Sequence, residues 1–438
     1  MFASVGARHA SPLLFAVLLL AQPDNLALKS RRAKELMAAG RYAEAIPVYS
    51  ELVRAVPNNP GLILNLGLAQ QLAGQPRQAI PQFEAAVKLQ PDLYPAWFSL
   101  GSAYLDLGEP ARAVAPLEKA AALQPREPRA LFALGRCYEA LARRAFERLD
   151  KLGQGSAWWL ALVAETRLSQ GQYGAAFGLY REALAKMPAL PGANAALAEI
   201  YRKTGHPDWA AVEERKEQAL PQRDWKTARG VQPPTPESYY WQSRAYNQLA
   251  AETFSRLTQL PPSVELHQFK AQLASSNRRY LEAAADLREA LKLAPGDPQL
   301  RTELAAALHQ AHDHQGAQAI LEDLLQADPE APPLNFMYGD TLLLQGQPEK
   351  AIPYLEKAAR QATARASLGL AYMQTGQPGR AIPHLKAALE LDTDGSLHYQ
   401  LARALQATGQ GEAAAPLLKK YQELQKRAQP EEAQITPP

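Results

Sequence analysis

Cysteine is nearly absent. Cys137 stands alone in 438 residues, so the chain can form no intrachain disulfide and no zinc site built on paired cysteines. A charge excess is missing as well: 47 basic residues face 44 acidic ones, evenly mixed, for a net charge of +3. That balance leaves no clustered basic face for a nucleic acid. Long apolar runs are missing with one exception, Leu13–Ala21 (LLFAVLLLA), which is too short to span a bilayer. No Gly-rich nucleotide loop and no Gly-x-Ser-x-Gly elbow occurs. No catalytic residue, cofactor or metal is therefore expected.

What the chain has instead is repetition. The 34 residues Tyr94–Glu127 hold two helical patterns. Trp97, Leu100, Gly101 and Tyr104 share one face of the first. Gly108 suits the left-handed backbone that follows a helix, and Pro110 suits the first turn of the next one. Ala113, Leu117 and Ala120 line the second helix, and Pro125 closes the unit. Ala113 recurs as Ala45, Ala79, Ala176, Ala210, Ala283, Ala317, Ala351, Ala381 and Ala414. A small residue recurs in the place of Gly101, among them Ala33, Gly67, Gly135, Ala164, Ala198, Ala305, Gly339, Gly369 and Ala402. Two crossing helices approach closely only where the side chain between them is small. Such a unit cannot bury its apolar face alone and is stable only when stacked on copies of itself.

The repeat with Trp97, Leu100-Gly101, Tyr104, Ala113 and Pro125 resembles the tetratricopeptide repeat (TPR) family over roughly residues 26 to 428. The resemblance implies an all-α, right-handed solenoid of about twelve helix-pair units. Segments 26–127 read as three regular repeats, and 128–220 as a long-helix unit plus two repeats. Proline-rich 221–236 reads as a linker, 237–428 as a second long-helix unit plus five repeats, and 429–438 as a disordered tail. Extra prolines at Pro47, Pro81, Pro116, Pro353, Pro383 and Pro416 are expected near the start of the second helices, where little hydrogen bonding is lost.

Two stretches break the pattern. After Tyr138 no turn glycine follows, and Leu141, Ala145, Leu149 and Leu152 continue one stripe, which predicts a long helix of about six turns. At an offset of 108 residues, Arg136, Tyr138, Leu141, Ala142, Phe146, Arg148, Leu149 and Leu152 match Arg244, Tyr246, Leu249, Ala250, Phe254, Arg256, Leu257 and Leu260. This reads as an internal duplication, either as two degenerate repeats inherited from it or as long helices that build a docking surface with the paired Arg136/Arg244 and Arg148/Arg256 as its polar groups.

Arg8 and His9 ahead of Leu13–Ala21, with Gln22-Pro23 after it, read as a secretory signal peptide over 1–21. The mature chain is then expected to be periplasmic or secreted and not inserted in the membrane. Cys137 falls on a helical stripe and serves as a small core hydrophobe.

The resemblance also implies where a partner binds. The first helices of TPR pairs line a concave groove that takes peptides or partner helices. By position this assigns Phe98 and Ser102, Phe132 and Arg136, Trp158 and Glu165, Phe336 and Asp340, and Tyr399 and Arg403. The carboxylate clamp of chaperone-binding relatives is absent, because its groove positions hold Leu64, Leu68, Phe98, Ser102, Phe132 and Arg136. The expected function is a non-enzymatic scaffold for a protein or peptide partner, in envelope assembly or secretion. Two alternatives rest on smaller features. His309, His312 and His314 with Asp313 have metal-ligand spacing, and Trp158, Trp159, Tyr239, Tyr240 and Trp241 are dense enough to stack on sugars.

Overall fold

The structure, a computed structural model, describes residues 23–220, 234–428 and 434–438. The apolar run at Leu13–Ala21, most of the 221–236 linker and residues 429–433 lie outside them. The described residues form 22 α-helices and no strand. Ten sequential pairs follow the expected plan: α1 (Pro23–Ala38) with α2 (Tyr42–Ala55), α3 (Pro60–Leu72) with α4 (Pro76–Leu89), and α5 (Tyr94–Asp106) with α6 (Pro110–Leu123). After the long α7 (Pro128–Gly153) come α8 (Ala157–Ser169) with α9 (Tyr173–Lys186) and α10 (Ala193–Lys203) with α11 (Pro207–Gln218). The second long helix, α12 (Pro236–Thr258), precedes the other five pairs. These are α13 (Val264–Ser276) with α14 (Tyr280–Leu293), α15 (Pro298–Gln310) with α16 (His314–Ala327), and α17 (Pro332–Leu344) with α18 (Pro348–Lys357). The last two are α19 (Ala362–Gln374) with α20 (Pro378–Ala388), and α21 (Ser396–Ala407) with α22 (Gly411–Ala428).

The pairs close as the small residues require. A Cβ added at Gly101 would lie 2.5 Å from Leu117 Cγ, and one at Gly369 would lie 2.6 Å from Leu385 Cγ. Gly40, Gly74 and Gly108 between paired helices all have positive φ. The extra prolines are placed differently from expectation. They are the sixth or seventh residue of their helices, past the first turn, where the N–H they lack would have bonded a carbonyl.

The described residues form two compact units. One runs as far as Glu147 and includes Trp241–Gln259; the other holds the remainder. In the first unit α7 finds its partner far along the chain. Phe254 of α12 sits where a Cβ at Gly135 would be, 2.5 Å from the ring, just as Phe83 fills the notch at Gly67. Phe132 lies against Phe254 and Tyr138 stacks on Tyr246, with ring centroids 6.5 and 6.2 Å apart, so the helices run antiparallel. The two stretches expected to be separate units thus complement each other, and Tyr138 and Tyr246, the residues aligned at the 108-residue offset, meet face to face. In the second unit one continuous core runs from Ala271 to Ala414 through the last five pairs.

Candidate protein-binding site

Successive first helices touch one another as well as their own partners. In the first unit α3 contacts α5, and in the second α15, α17, α19 and α21 form a row. Residues predicted for a groove fall on these helices. In the first unit Phe98 is half-buried and stacks on Tyr94 at 6.0 Å. Ser102 accepts a hydrogen bond from the Gln71 amide at 3.2 Å, and Asp106 accepts another from it at 2.7 Å, which ties α3 to α5. Arg136 is exposed, with its guanidinium 5.7 Å from the Phe132 ring centre. Phe132 also packs on Phe254, so part of its surface belongs to the helix pair.

In the second unit Trp158 packs against Tyr240 at 5.0 Å and Glu165 is half-buried. Phe336 packs on the core of the last five pairs. Tyr399 is 40% exposed, with the Arg403 guanidinium 5.9 Å above its ring.

Asp340 is held by groups that spacing alone did not connect to it. Ser367 of α19 donates to its Oδ1 at 2.5 Å, and His309 Nε2 of α15 lies 3.2 Å from its Oδ2. His309 Nδ1 is 3.0 Å from the Thr341 hydroxyl. Burial pushes the Asp340 carboxyl up, but the hydrogen bonds from His309 and Ser367 outweigh this and hold it below the ordinary carboxylate value. His309, Thr341 and Ser367 complete a polar line across three first helices. Their one signal in the sequence is a polar residue at an inward position of a helix.

Of the histidine cluster only His309 is drawn away, while His312 and His314 stay together with ring centroids 5.7 Å apart. His309 turns into the array, His312 occupies the turn with φ 59°, and Asp313 caps α16 by accepting from the Gly316 N–H at 3.0 Å. Among the described residues no three His, Cys, Asp or Glu side chains converge to hold a metal ion. The aromatic cluster is largely covered: Tyr239, Tyr240 and Trp241 are 8%, 1% and 6% exposed, and the Trp159 indole N–H is held by Asp150 at 2.7 Å.

The tetratricopeptide repeat model matches residues 13–60, 30–74, 64–128, 100–145, 270–332 and 366–433, and a second model of that description matches 308–371. The chain belongs to the tetratricopeptide repeat family. TPR arrays are protein-interaction modules. No curated protein matches the chain. Solved structures similar to part of it include MamA from Desulfovibrio magneticus RS-1, residues 41 to the end. It is 26% identical over 38% of this chain and 96% of that one, with a TM-score of 0.34. MamA MSR-1 is 25% identical over 38% and 98%, with a TM-score of 0.33. No helix among the described residues is long and apolar enough to cross a membrane.

Proposed function

We propose that this TPR chain is a non-enzymatic scaffold that binds a protein or peptide along its first helices. The row of α15, α17, α19 and α21 carries the reading, because it presents Phe336, Tyr399 and Arg403 beside the ordered Asp340 network. Aromatic rings supply large contact area at low entropic cost, arginines add charge-assisted hydrogen bonds, and a fixed carboxylate adds orientation. In the first unit Phe98, Phe132 and Arg136 offer the same chemistry on α5 and α7. An exported chain working in envelope assembly or secretion is the setting this proposal favours, motivated by the apolar run Leu13–Ala21 behind Arg8. The sugar-binding alternative is weaker, because three of its five aromatics are buried.

A crosslinked pull-down from the cell envelope tests the proposal, with wild type run beside Phe98→Glu and Phe336→Glu and far-UV circular dichroism confirming the fold. A partner captured by wild type and lost by a folded variant supports it. Equal capture by all three removes the binding site from these helices.

A further inference from the structure

A tyrosine hydroxyl meets a glutamate from the preceding second helix at four places in the array. Tyr104 donates to Glu84 at 2.9 Å, Tyr138 to Glu118 at 2.7 Å, Tyr338 to Glu322 at 2.8 Å and Tyr372 to Glu356 at 2.5 Å. Each glutamate is the ninth residue of its helix, α4, α6, α16 or α18. At Tyr104 and Tyr372 an arginine, the third residue of the following helix, lies over the ring: Arg112 at 4.3 Å and Arg380 at 4.2 Å.

Tyr201 of α10 stands at the same position as Tyr104, three residues after the small residue of its helix, but both neighbours are changed. The ninth residue of α9 is Arg181, which has no acceptor to offer the hydroxyl. The third residue of α11 is Trp209, whose ring meets Tyr201 edge-on at 5.6 Å and stacks on His206 at 4.0 Å. Glu213 of α11 is 1% exposed, acts electrostatically on Tyr201, and keeps one carboxylate oxygen without a hydrogen-bond partner. The notch therefore combines a hydroxyl donor, an unsatisfied acceptor and a half-open aromatic shelf.

It is occupied. Tyr201 donates its hydroxyl to the carbonyl of Thr436 at 2.8 Å, across 235 residues of chain, and is itself fully covered. Residues 434–438 read Gln-Ile-Thr-Pro-Pro and carry no helix, and Ile435 is half-buried. Two consecutive prolines hold Thr436 and Pro437 extended, and such a segment has no internal hydrogen bonds, so its carbonyls are free to accept. Aromatic shelves with a donor are the surfaces on which extended proline segments dock.

We propose that the Tyr201–Trp209–His206 notch is a docking site for an extended, proline-containing peptide, and that Gln434–Pro438 of this same chain fills it in cis. The site lies apart from the first-helix residues assigned above and does not depend on them. A competing ligand must carry the same chemistry, an exposed carbonyl followed by proline, and must displace the segment.

The test uses a fluorescein-labelled Gln-Ile-Thr-Pro-Pro peptide, titrated by anisotropy against the intact chain and a variant lacking residues 434–438. The shortened chain is expected to bind the peptide, and the intact chain about tenfold more weakly, because a tethered segment competes at millimolar effective concentration. In the shortened chain Tyr201→Phe is expected to weaken binding about three- to tenfold, the worth of one hydrogen bond. Arg181→Glu, at an exposed position, restores the glutamate found elsewhere and should capture the hydroxyl, with a similar loss. No binding to the shortened chain, or equal binding by both substituted variants with circular dichroism unchanged, overturns the proposal. Dimers of the intact chain that vanish on removing 434–438, seen by sedimentation, would place the segment in a second copy and overturn docking in cis.

Discussion

Gly101 and Arg278 show opposite sides of the same backbone requirement. At Gly101 the Leu117 side chain occupies the space of a Cβ, with Cγ and Cδ2 at 2.5 and 2.7 Å. Gly101→Ala is expected to destabilise the array by about 1–3 kcal/mol through overpacking, measured as a lower denaturant midpoint. Arg278 holds φ 58° in a turn where most repeats place glycine, and its side chain is exposed. Arg278→Gly relieves that strain and should stabilise by about 1 kcal/mol in the same assay. Cys137 is fully buried and its Sγ donates to the Pro110 carbonyl at 3.2 Å. Burial, reinforced by Glu118, pushes its thiol up to about 12. The native thiol therefore stays protonated and should ignore a disulfide reagent at pH 8 until the protein is unfolded. An unfolded thiol ionises near 8.5, so this group's contribution to stability is present below that pH and falls as pH rises above it. Gly101 and Cys137 were recognisable in the sequence as a small and a core position, whereas Arg278 was not, because an arginine carries no left-handed turn signal.

At the scale of the element, the line across α15, α17 and α19 and the pair of α7 with α12 depend on residues from different helices. Asp340 is kept ionised by His309 and Ser367, so its carboxyl titrates below the ordinary value near 3.9. Its stabilising contribution is present above that value and is lost as pH falls through the native one. Asp340→Asn should remove about 1–2 kcal/mol at neutral pH and flatten the acid limb of a stability curve below about pH 4. Phe254→Ala empties the notch at Gly135 and should destabilise the first unit by about 3–5 kcal/mol, a large effect for a residue 119 positions away in sequence. Hydrogen exchange of the α7 amides would locate that loss. The length of α7 was legible from its unbroken stripe. Its partner was not, because a stripe shows which face is buried and does not name what covers it.

At the scale of the molecule, a TPR array sums local stabilities, so fragments test the architecture. Residues 23–127 contain three complete pairs, whereas 23–153 add α7 without α12. The longer fragment is expected to melt no higher than the shorter one, since Gly135 would face solvent in place of Phe254. A clear gain from adding α7 alone would show that α12 is dispensable to the first unit. The ten regular pairs were readable in advance because their contacts lie within about 34 residues and repeat, so every copy restates the same small-residue and turn rules. The signal segment, the linker and residues 429–433 stay as sequence expectations. Tertiary structure alone decided three further matters: the pairing of Gly135 with Phe254, the polar line through Asp340, and the seat of Thr436 on Tyr201. Each joins groups that no period relates. Such a contact depends on which surface the folded chain leaves uncovered, and only the assembled helices define that surface.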